Sequence, residues 1–100
     1  MSLLYISEYA ALGSADGDLA QVPQEPPLAT QVVDYSSGEA KSATLNTETR
    51  IVLMKSAAAC HVLFGEDPTA DTNDEPIFAN VPEYKGVAKG SGLKISVISA

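Results

Sequence analysis

Turn-forming residues recur along most of this chain at intervals of about 8–12 residues, which leaves room only for short segments of regular structure. Between the turns lie stretches rich in β-branched and apolar residues, several of them with polar and apolar side chains in alternation. These stretches are residues 28–35, 39–45, 49–55, 58–64, 81–87 and 93–99. Short strands at such a spacing are typical of an antiparallel β-sandwich or barrel. The sequence therefore predicts an all-β fold for this chain.

One stretch, residues 54–64, is open to two interpretations. Its run Ala57-Ala58-Ala59 favours a helix, because alanine is the best helix former. The β-branched residues on both sides, the alternation that starts at Cys60 and the closing Gly65 favour a strand. We expect a β-hairpin whose second strand covers residues 58–64.

Length and composition limit the classes of protein to which the chain can belong. With 100 residues, 45% of them hydrophobic, it is large enough for one modest core and too apolar for a disordered chain. A net charge of −7 argues against nucleic-acid binding, which depends on Lys and Arg. The single Cys rules out an intramolecular disulfide. The longest apolar stretch, residues 51–64, is shorter than the roughly 20 residues that span a bilayer, so we expect a soluble protein with no membrane partner.

The N-terminal quarter of the chain differs from the remainder in its prolines. Pro23, Pro26 and Pro27 fix φ and lack an N–H, so the segment around them must be extended. We expect residues 1–27 to form an extended N-terminal arm with a proline-rich connector and residues 28–100 to form the sandwich body, within one domain. Residues 3–9 have an alternative interpretation as the first strand of the protein's own core.

Catalysis is not expected from the residues that could act as nucleophile and base. Cys60 and His61 are adjacent, and neighbouring side chains on a strand point to opposite faces, so they cannot act as a pair. A nucleophile elbow of the form G-x-S-x-G does not occur in the sequence. We predict that Cys60 is a core residue, that His61 is half-exposed and that the chain is not an enzyme.

Metal binding is not expected either. One Cys and one His cannot supply the usual ligand set of a zinc site. Asp71, Asn73 and Glu75 alternate as calcium ligands do at the start of an EF-hand loop, which makes them the candidate for a cation. Pro76 stands where that loop requires glycine. We therefore predict a long acidic loop over residues 66–80 that is either mobile or held by a partner.

Charge is distributed unevenly along the sequence. The first forty residues contain six acidic residues and no Lys or Arg, whereas Lys85, Lys89 and Lys94 follow residue 76 against Glu83 alone. Complementary patches of this kind set the orientation of partners more than their affinity. The distribution is consistent with a chain that meets neighbouring copies or a charged scaffold.

Several segments together resemble a group of small virion proteins of tailed bacteriophages. They are residues 3–9 (LLYISEY), 24–28 (QEPPL), 50–52 (RIV), 60–65 (CHVLFG), 80–87 (NVPEYKGV) and 92–98 (GLKISVI). The resemblance covers nearly the whole chain and implies a β-sandwich or jelly-roll fold. It also implies a structural role as a head decoration (cement) protein, with a head–tail neck component as the nearest alternative. The acidic segment 66–75 departs from the shorter form expected of this group.

The resemblance implies partners and a location as well. We expect the chain to bind the major capsid protein and copies of itself, as a dimer or trimer, on the capsid surface after synthesis in the host cytoplasm, with no cofactor. An alternative is a receptor- or carbohydrate-binding sandwich that uses Tyr9, Tyr35 and Tyr84, although the absence of Trp weighs against it. The predicted partner-binding residues are Leu3, Leu4, Tyr5, Ile6, Tyr9, Lys85 and Lys89.

Overall fold

A computed structural model describes residues 2–15, 18–23 and 26–100, with the backbone alone for 12–15 and 18–23. These residues form β-strands and no helix, so the described part contains no helix that could cross a membrane. The strands are β1 (Leu3–Tyr9), β2 (Leu12–Ala15), β3 (Asp18–Pro23), β4 (Ala29–Asp34), β5 (Ala40–Lys41), β6 (Ile51–Ser56), β7 (Cys60–Gly65), β8 (Glu75–Ile77), β9 (Glu83–Gly86) and β10 (Lys94–Ser99).

Two antiparallel sheets of four strands each make up the body, which confirms the predicted small β-sandwich. The first sheet has the order β4-β1-β6-β9 and the second the order β5-β10-β7-β8, while β2 and β3 form a separate two-stranded ribbon. The chain changes sheet between β4 and β5, β5 and β6, β6 and β7, β8 and β9, and β9 and β10. This repeated crossing winds the eight strands in the manner of a jelly roll.

The core lies between the two sheets and follows from the alternation along their strands. Leu4 and Ile6 on β1 and Val52 and Met54 on β6 point inward from the first sheet and are almost completely buried. Each such aliphatic side chain contributes about 1.5–3 kcal/mol when it leaves water. Val33 of β4 also belongs to this cluster, and the second sheet and the connecting segments complete it with Tyr35, Leu45, Cys60, Val62, Ile77, Ile95 and Val97.

Strand β1 corrects the expectation of an N-terminal arm. It is an inner strand of the first sheet, paired with β4 from Leu3↔Asp34 to Glu8↔Ala29 and with β6 from Leu4↔Ser56 to Tyr9↔Ile51. An apolar strand with neighbours on both edges satisfies its backbone and buries one face, which an arm in solvent does not. The alternative interpretation of residues 3–9, a strand of the protein's own core, is confirmed. Of the proline-rich connector, Gln24 and Glu25 lie outside the described residues.

The expected hairpin around residues 54–64 is half right. Both strands exist and no helix forms, but β6 belongs to the first sheet and β7 to the second, so the two do not pair. Residues 57–59 carry the chain across the core from Ser56 to Cys60, both of which are buried. Alternation predicts that a segment is a strand, and it contains no information about which sheet the next strand joins.

Two further segments differ from their predicted extents. Regular pairing in residues 39–45 is limited to β5, after which Ser42 N donates to Ile95 O (2.8 Å) and Leu45 N donates to Leu93 O (2.8 Å). The Ser42 hydroxyl accepts a hydrogen bond from the Ile95 N–H (2.9 Å), so a side chain replaces one backbone acceptor between these two strands. The predicted loop 66–80 contains β8, which pairs with β7.

The acidic segment 66–74 is held by the protein's own second sheet, which neither expectation for it anticipated. Ala70 is buried, and its N–H donates to the Ser96 hydroxyl (2.8 Å) on the outer face of β10. The Ser96 hydroxyl in turn donates to the Glu39 carboxylate. At the end of the segment, the Asp74 carbonyl accepts a hydrogen bond from His61 Nδ1 (3.0 Å). This covering segment therefore shields part of the outer face of the second sheet.

Candidate docking surface

The outer face of the first sheet carries a diagonal stripe of apolar side chains that runs across all four strands. Tyr5 lies opposite Val32 on β4, and Leu53 lies opposite Tyr84 on β9. Tyr5 and Leu53 are diagonal neighbours, because Ser7 follows Tyr5 by two residues and pairs with Leu53. Side chains at opposite and diagonal positions of a sheet are close enough to touch. We call Val32, Tyr5, Leu53 and Tyr84 the outer stripe.

The outer stripe is exposed to solvent. Val32 is 58%, Tyr84 54% and Tyr5 50% accessible, and Leu53 is partly buried between them. Lys55 lies opposite Tyr5 and Asp34 lies beside Val32, so charged residues border the apolar positions. An apolar centre with a charged border is the composition of a protein-binding surface.

The predicted partner-binding residues of β1 separate into two groups. Leu4 and Ile6 are buried in the core between the sheets. Tyr9 is buried as well, although the alternation of β1 places it on the same face as Tyr5. Tyr5 is on the outer face, and Leu3, at the start of the strand, is partly buried. Of the five residues, only Tyr5 belongs to the outer stripe.

The two predicted lysines lie away from the outer stripe and both form ion pairs. Lys89 Nζ pairs with Glu48 Oε2 at 2.9 Å on the surface. Lys85 points to the inner side of β9 and pairs with Glu75 of β8, which connects the edges of the two sheets. Exposed pairs of this kind contribute little to stability, about 0–1 kcal/mol.

Sequence reasoning missed Val32 and Leu53 as surface residues. Both lie in strands that were predicted, but a valine or leucine in a strand is more often buried than exposed. The available signal was the phase of alternation, because Val33 and Val52 occupy the inward positions next to them. Only the pairing of β4, β1 and β6 brings the outward residues into one stripe.

The residues considered for catalysis are placed as predicted, on opposite faces of β7. Cys60 is buried in the core, and burial raises the pKa of its thiol. His61 is partly exposed and donates from Nδ1 to the Asp74 carbonyl. The thiol neighbours a buried polar group in which Tyr35 Oη and Ser56 Oγ share a hydrogen bond of 2.6 Å. Burial also raises the pKa of Tyr35. Tyr35, Ser56 and Cys60 thus form a hydrogen-bonded group in the interior of the domain.

The candidate cation ligands are used within their own segment. Asp71 Oδ1 accepts the Asn73 N–H (2.8 Å), and Asp74 Oδ2 accepts the Asp71 N–H (2.7 Å). Glu75 is the partner of Lys85. In the part of the chain that the structure describes, no three His, Cys, Asp or Glu side chains converge as metal ligands do.

A cavity of about 310 Å³ opens between the two sheets at the side where β8 and β9 form the edges. Phe64, Val87 and Leu93 supply its apolar lining, and the Lys85–Glu75 ion pair lies at its wall. On the opposite side of the sandwich, where β4 and β5 form the edges, a hydrogen bond connects the two sheets. There, Gln31 Oε1 accepts the Ala43 N–H (2.9 Å), which connects β4 to the segment after β5.

The tyrosines expected to form a sugar platform are not on one surface. Tyr9 and Tyr35 are buried, and of the three only Tyr84 is exposed. Stacking on a sugar ring needs an exposed aromatic face, and among these three tyrosines only Tyr84 has one. Comparison with family models, with curated proteins and with solved structures finds no match for the chain.

Proposed function

We propose that this chain is a non-catalytic structural module that docks through the outer stripe, and that its partner is the outer surface of a phage capsid. The partner follows from the resemblance of residues 3–9, 60–65 and 80–87 to tailed-phage virion proteins. The observation that supports a docking role is the exposed stripe itself, because isolated domains rarely leave a row of aromatic and aliphatic residues on one sheet face.

Two properties of the fold suit such a role. The sandwich presents the outer stripe on paired strands, so little conformational freedom is lost when it binds. The second sheet carries its own cover, residues 66–74, which leaves the outer face of the first sheet as the open one of the two. A module with one exposed apolar face can bind to one capsid lattice without cross-linking several capsids.

Stabilisation of a capsid needs no chemistry beyond this binding. A protein that binds the assembled, expanded lattice and not the free capsomers shifts the assembly equilibrium by mass action. Many copies, each with a modest affinity, then resist disassembly together. The two alternatives are a neck position between head and tail and a receptor- or carbohydrate-binding role, and they differ in where the protein is found.

Co-sedimentation with expanded, empty capsids of the phage that encodes the chain tests the proposal. We expect saturable binding, and we expect Tyr5→Ser and Val32→Ser each to weaken it by about tenfold or more, as removal of an interface anchor does. The matched control is Phe78→Ser, since Phe78 is 61% exposed and lies outside the outer stripe. Urea denaturation of each variant verifies that the domain is intact.

Other results would contradict the proposal in distinguishable ways. Equal loss of binding in Phe78→Ser indicates non-specific adhesion. Absence from the capsid shell together with presence at the neck of the particle favours the neck component. A glycan-array signal that Tyr84→Ser abolishes, without capsid binding, favours the carbohydrate-binding alternative.

A further inference from the structure

Strand β9 is an open edge of the first sheet, and its hydrogen-bonding groups can be assigned. The Val87 N–H donates to the Arg50 carbonyl (2.9 Å), in register with the pairs Val52↔Lys85 and Met54↔Glu83. Successive residues of an antiparallel strand direct their backbone groups to alternate sides. The N–H and C=O groups of Tyr84 and Gly86 therefore point away from β6, toward solvent.

The inward side chains of β9 disfavour the pairing of this edge with a strand of unrelated sequence. Glu83 and Lys85 both lie on the inner side, and a neutral strand placed beside them would bury part of their charge, with Glu75 as a partner for Lys85 alone. The two charges have opposite signs and are two residues apart. A strand that carries the opposite charges at those two positions satisfies both, and this chain carries them in reverse order.

We propose that the chain forms a two-fold symmetric dimer in which β9 pairs antiparallel with β9 of a second copy, centred on Tyr84. In this register Glu83 of each copy lies opposite Lys85 of the other copy. The two-fold axis therefore produces two such pairs. The Tyr84 N–H of each copy donates to the Tyr84 carbonyl of the other, and each Gly86 N–H meets the Pro82 carbonyl. The two first sheets become one sheet of eight strands.

The charges of Glu83 and Lys85 also favour this register over the neighbouring registers. Only residues whose backbone groups point outward can bond across the edge, so the alternative registers differ by steps of two residues. The adjacent register, with Tyr84 opposite Gly86, places Lys85 directly opposite Lys85 of the second copy. Like charges at directly opposed positions destabilise a strand pair. The register centred on Tyr84 is thus the favoured one.

The opposite edge of the same sheet does not offer such an arrangement. In β4 the outward groups belong to Thr30, Val32 and Asp34, and pairing about Val32 places Thr30 opposite Asp34 without an ion pair. That side of the sandwich is also bridged by the Gln31–Ala43 hydrogen bond. On the β9 side, in contrast, the surface ion pair Lys85–Glu75 connects the two sheet edges.

Analytical ultracentrifugation of the full chain over a concentration series tests the dimer. We expect a mass twice the 10.4 kDa of the chain at high concentration. Tyr84→Pro removes the central outward N–H and leaves the ladder to β6 complete, so it is expected to shift the species to a monomer. Val32→Pro is the matched control, because it removes an exposed apolar side chain and an outward N–H from the other edge, and it should remain dimeric.

A charge exchange tests the register without removing a hydrogen bond. Glu83→Lys and Lys85→Glu each oppose like charges in their own homodimer, so each alone is expected to be monomeric. When they are mixed, every opposed pair has unlike charges, and a heterodimer should form. Melting curves of both variants check that they are folded, since Lys85→Glu also loses its partner Glu75.

The inference is overturned by a wild-type chain that stays monomeric at all concentrations, by a trimer, or by a dimer that survives Tyr84→Pro. It is also overturned if the mixed charge variants stay monomeric while both are folded. The result is independent of the capsid proposal: a monomer that binds capsids through the outer stripe would contradict the dimer alone, and a dimer that ignores capsids would contradict the docking role alone.

Discussion

Glu8 is a carboxylate on the inner face of β1, at the end of the row that begins with Leu4 and Ile6, and it is 1% exposed. It accepts hydrogen bonds from the Asn46 N–H (2.7 Å), the Thr49 hydroxyl (2.9 Å) and Gln31 Nε2 (3.0 Å). A buried carboxylate is tolerated only when its oxygens are satisfied in this way. Glu8 thereby connects β1, β4 and the turn before β6.

Replacement of Glu8 by Ala should destabilise the domain markedly. It leaves the Asn46 N–H and the Thr49 hydroxyl without an acceptor, and the loss of bonds to a charged group in a buried position amounts to about 3 kcal/mol. Urea denaturation monitored by circular dichroism measures the change in the free energy of unfolding. Glu8→Gln, which keeps one carbonyl oxygen, is expected to fall between Glu8→Ala and the wild type.

The control for this prediction is Ser7→Ala, the neighbouring outward residue of the same strand. Its effect should stay within about 0.5 kcal/mol, as for most surface substitutions. A loss below about 1 kcal/mol in Glu8→Ala would mean that water replaces the carboxylate. The sequence indicates the position of Glu8 only through the alternation of β1, which places Glu8 on the same face as Leu4 and Ile6. An acidic residue at such a core position is rare.

Among the elements, the middle of the covering segment 66–74 is held by a relay of hydrogen bonds through Ser96. The Ser96 hydroxyl accepts from the Ala70 N–H and donates to Glu39, whose carboxylate also pairs with Lys41 at 3.1 Å. The hydrogen bond from Ser96 holds the pKa of Glu39 below its ordinary value. A serine on the outer side of a strand, between Lys94 and Ile98, gives no local sign that it will be covered.

Ser96→Ala should loosen the covering segment around Ala70 while the sandwich stays folded. The Ala70 amide loses its acceptor, and we expect its hydrogen exchange to accelerate by about tenfold, in proportion to one hydrogen bond of roughly 1–1.5 kcal/mol. Exchange measured by NMR gives the rate for this amide. Ser99→Ala, an exposed position of the same strand, serves as the control. Unchanged protection of Ala70 would contradict the relay.

The same relay predicts a dependence of stability on acid. Because the pKa of Glu39 is lowered in the folded state, its contribution is complete above the ordinary carboxyl pKa of 4.5 and is lost as the pH falls through the lowered value. The decrease in melting temperature between pH 5 and pH 3, both chosen around that range, should be smaller in Ser96→Ala than in the wild type. An identical decrease in the two proteins would contradict this assignment.

At the level of elements, the sequence predicted strands far better than their partners. The segments that became β4, β6, β7, β9 and β10 were identified from alternation and turns. The partner of each strand depends on contacts between distant residues, such as Leu4 with Ser56, which no local pattern contains. For the same reason the arm was wrongly predicted and the outer stripe was missed. Of its members, Tyr5 was identified as a partner-binding residue of the expected arm, and Tyr84 only as a residue of the carbohydrate-binding alternative.

For the whole molecule, the buried group around Tyr35 and Cys60 sets the behaviour in alkali. Burial raises the pKa of both residues in the folded state, whereas the unfolded chain ionises them at the ordinary values of 10.0 and 9.0. Their contribution to stability is therefore complete below pH 9 and is lost as the pH rises toward the raised values. Each group adds a slope of up to about 1.4 kcal/mol per pH unit.

We accordingly expect the free energy of unfolding to decrease steadily above pH 9, where the thiol of the unfolded chain begins to ionise. Cys60→Ala removes one of the two groups, so its decrease should be shallower although its stability at neutral pH is lower. Urea denaturation at a series of alkaline pH values compares the two proteins. Parallel decreases in both would show that the thiol ionises as readily in the folded state as in the unfolded one.

The inner position of β1 has a consequence for how the protein is made. The strand is synthesised before both of its neighbours, β4 and β6, which end at Asp34 and Ser56. Until both neighbours have been synthesised, the leucines and the isoleucine of β1 lack the complete sheet and remain available to chaperones or to other nascent chains. Folding that waits for such distant pairings is slow, on the order of milliseconds to seconds. The pairing of β1 with both of its neighbours is therefore completed only after Ser56 has been synthesised.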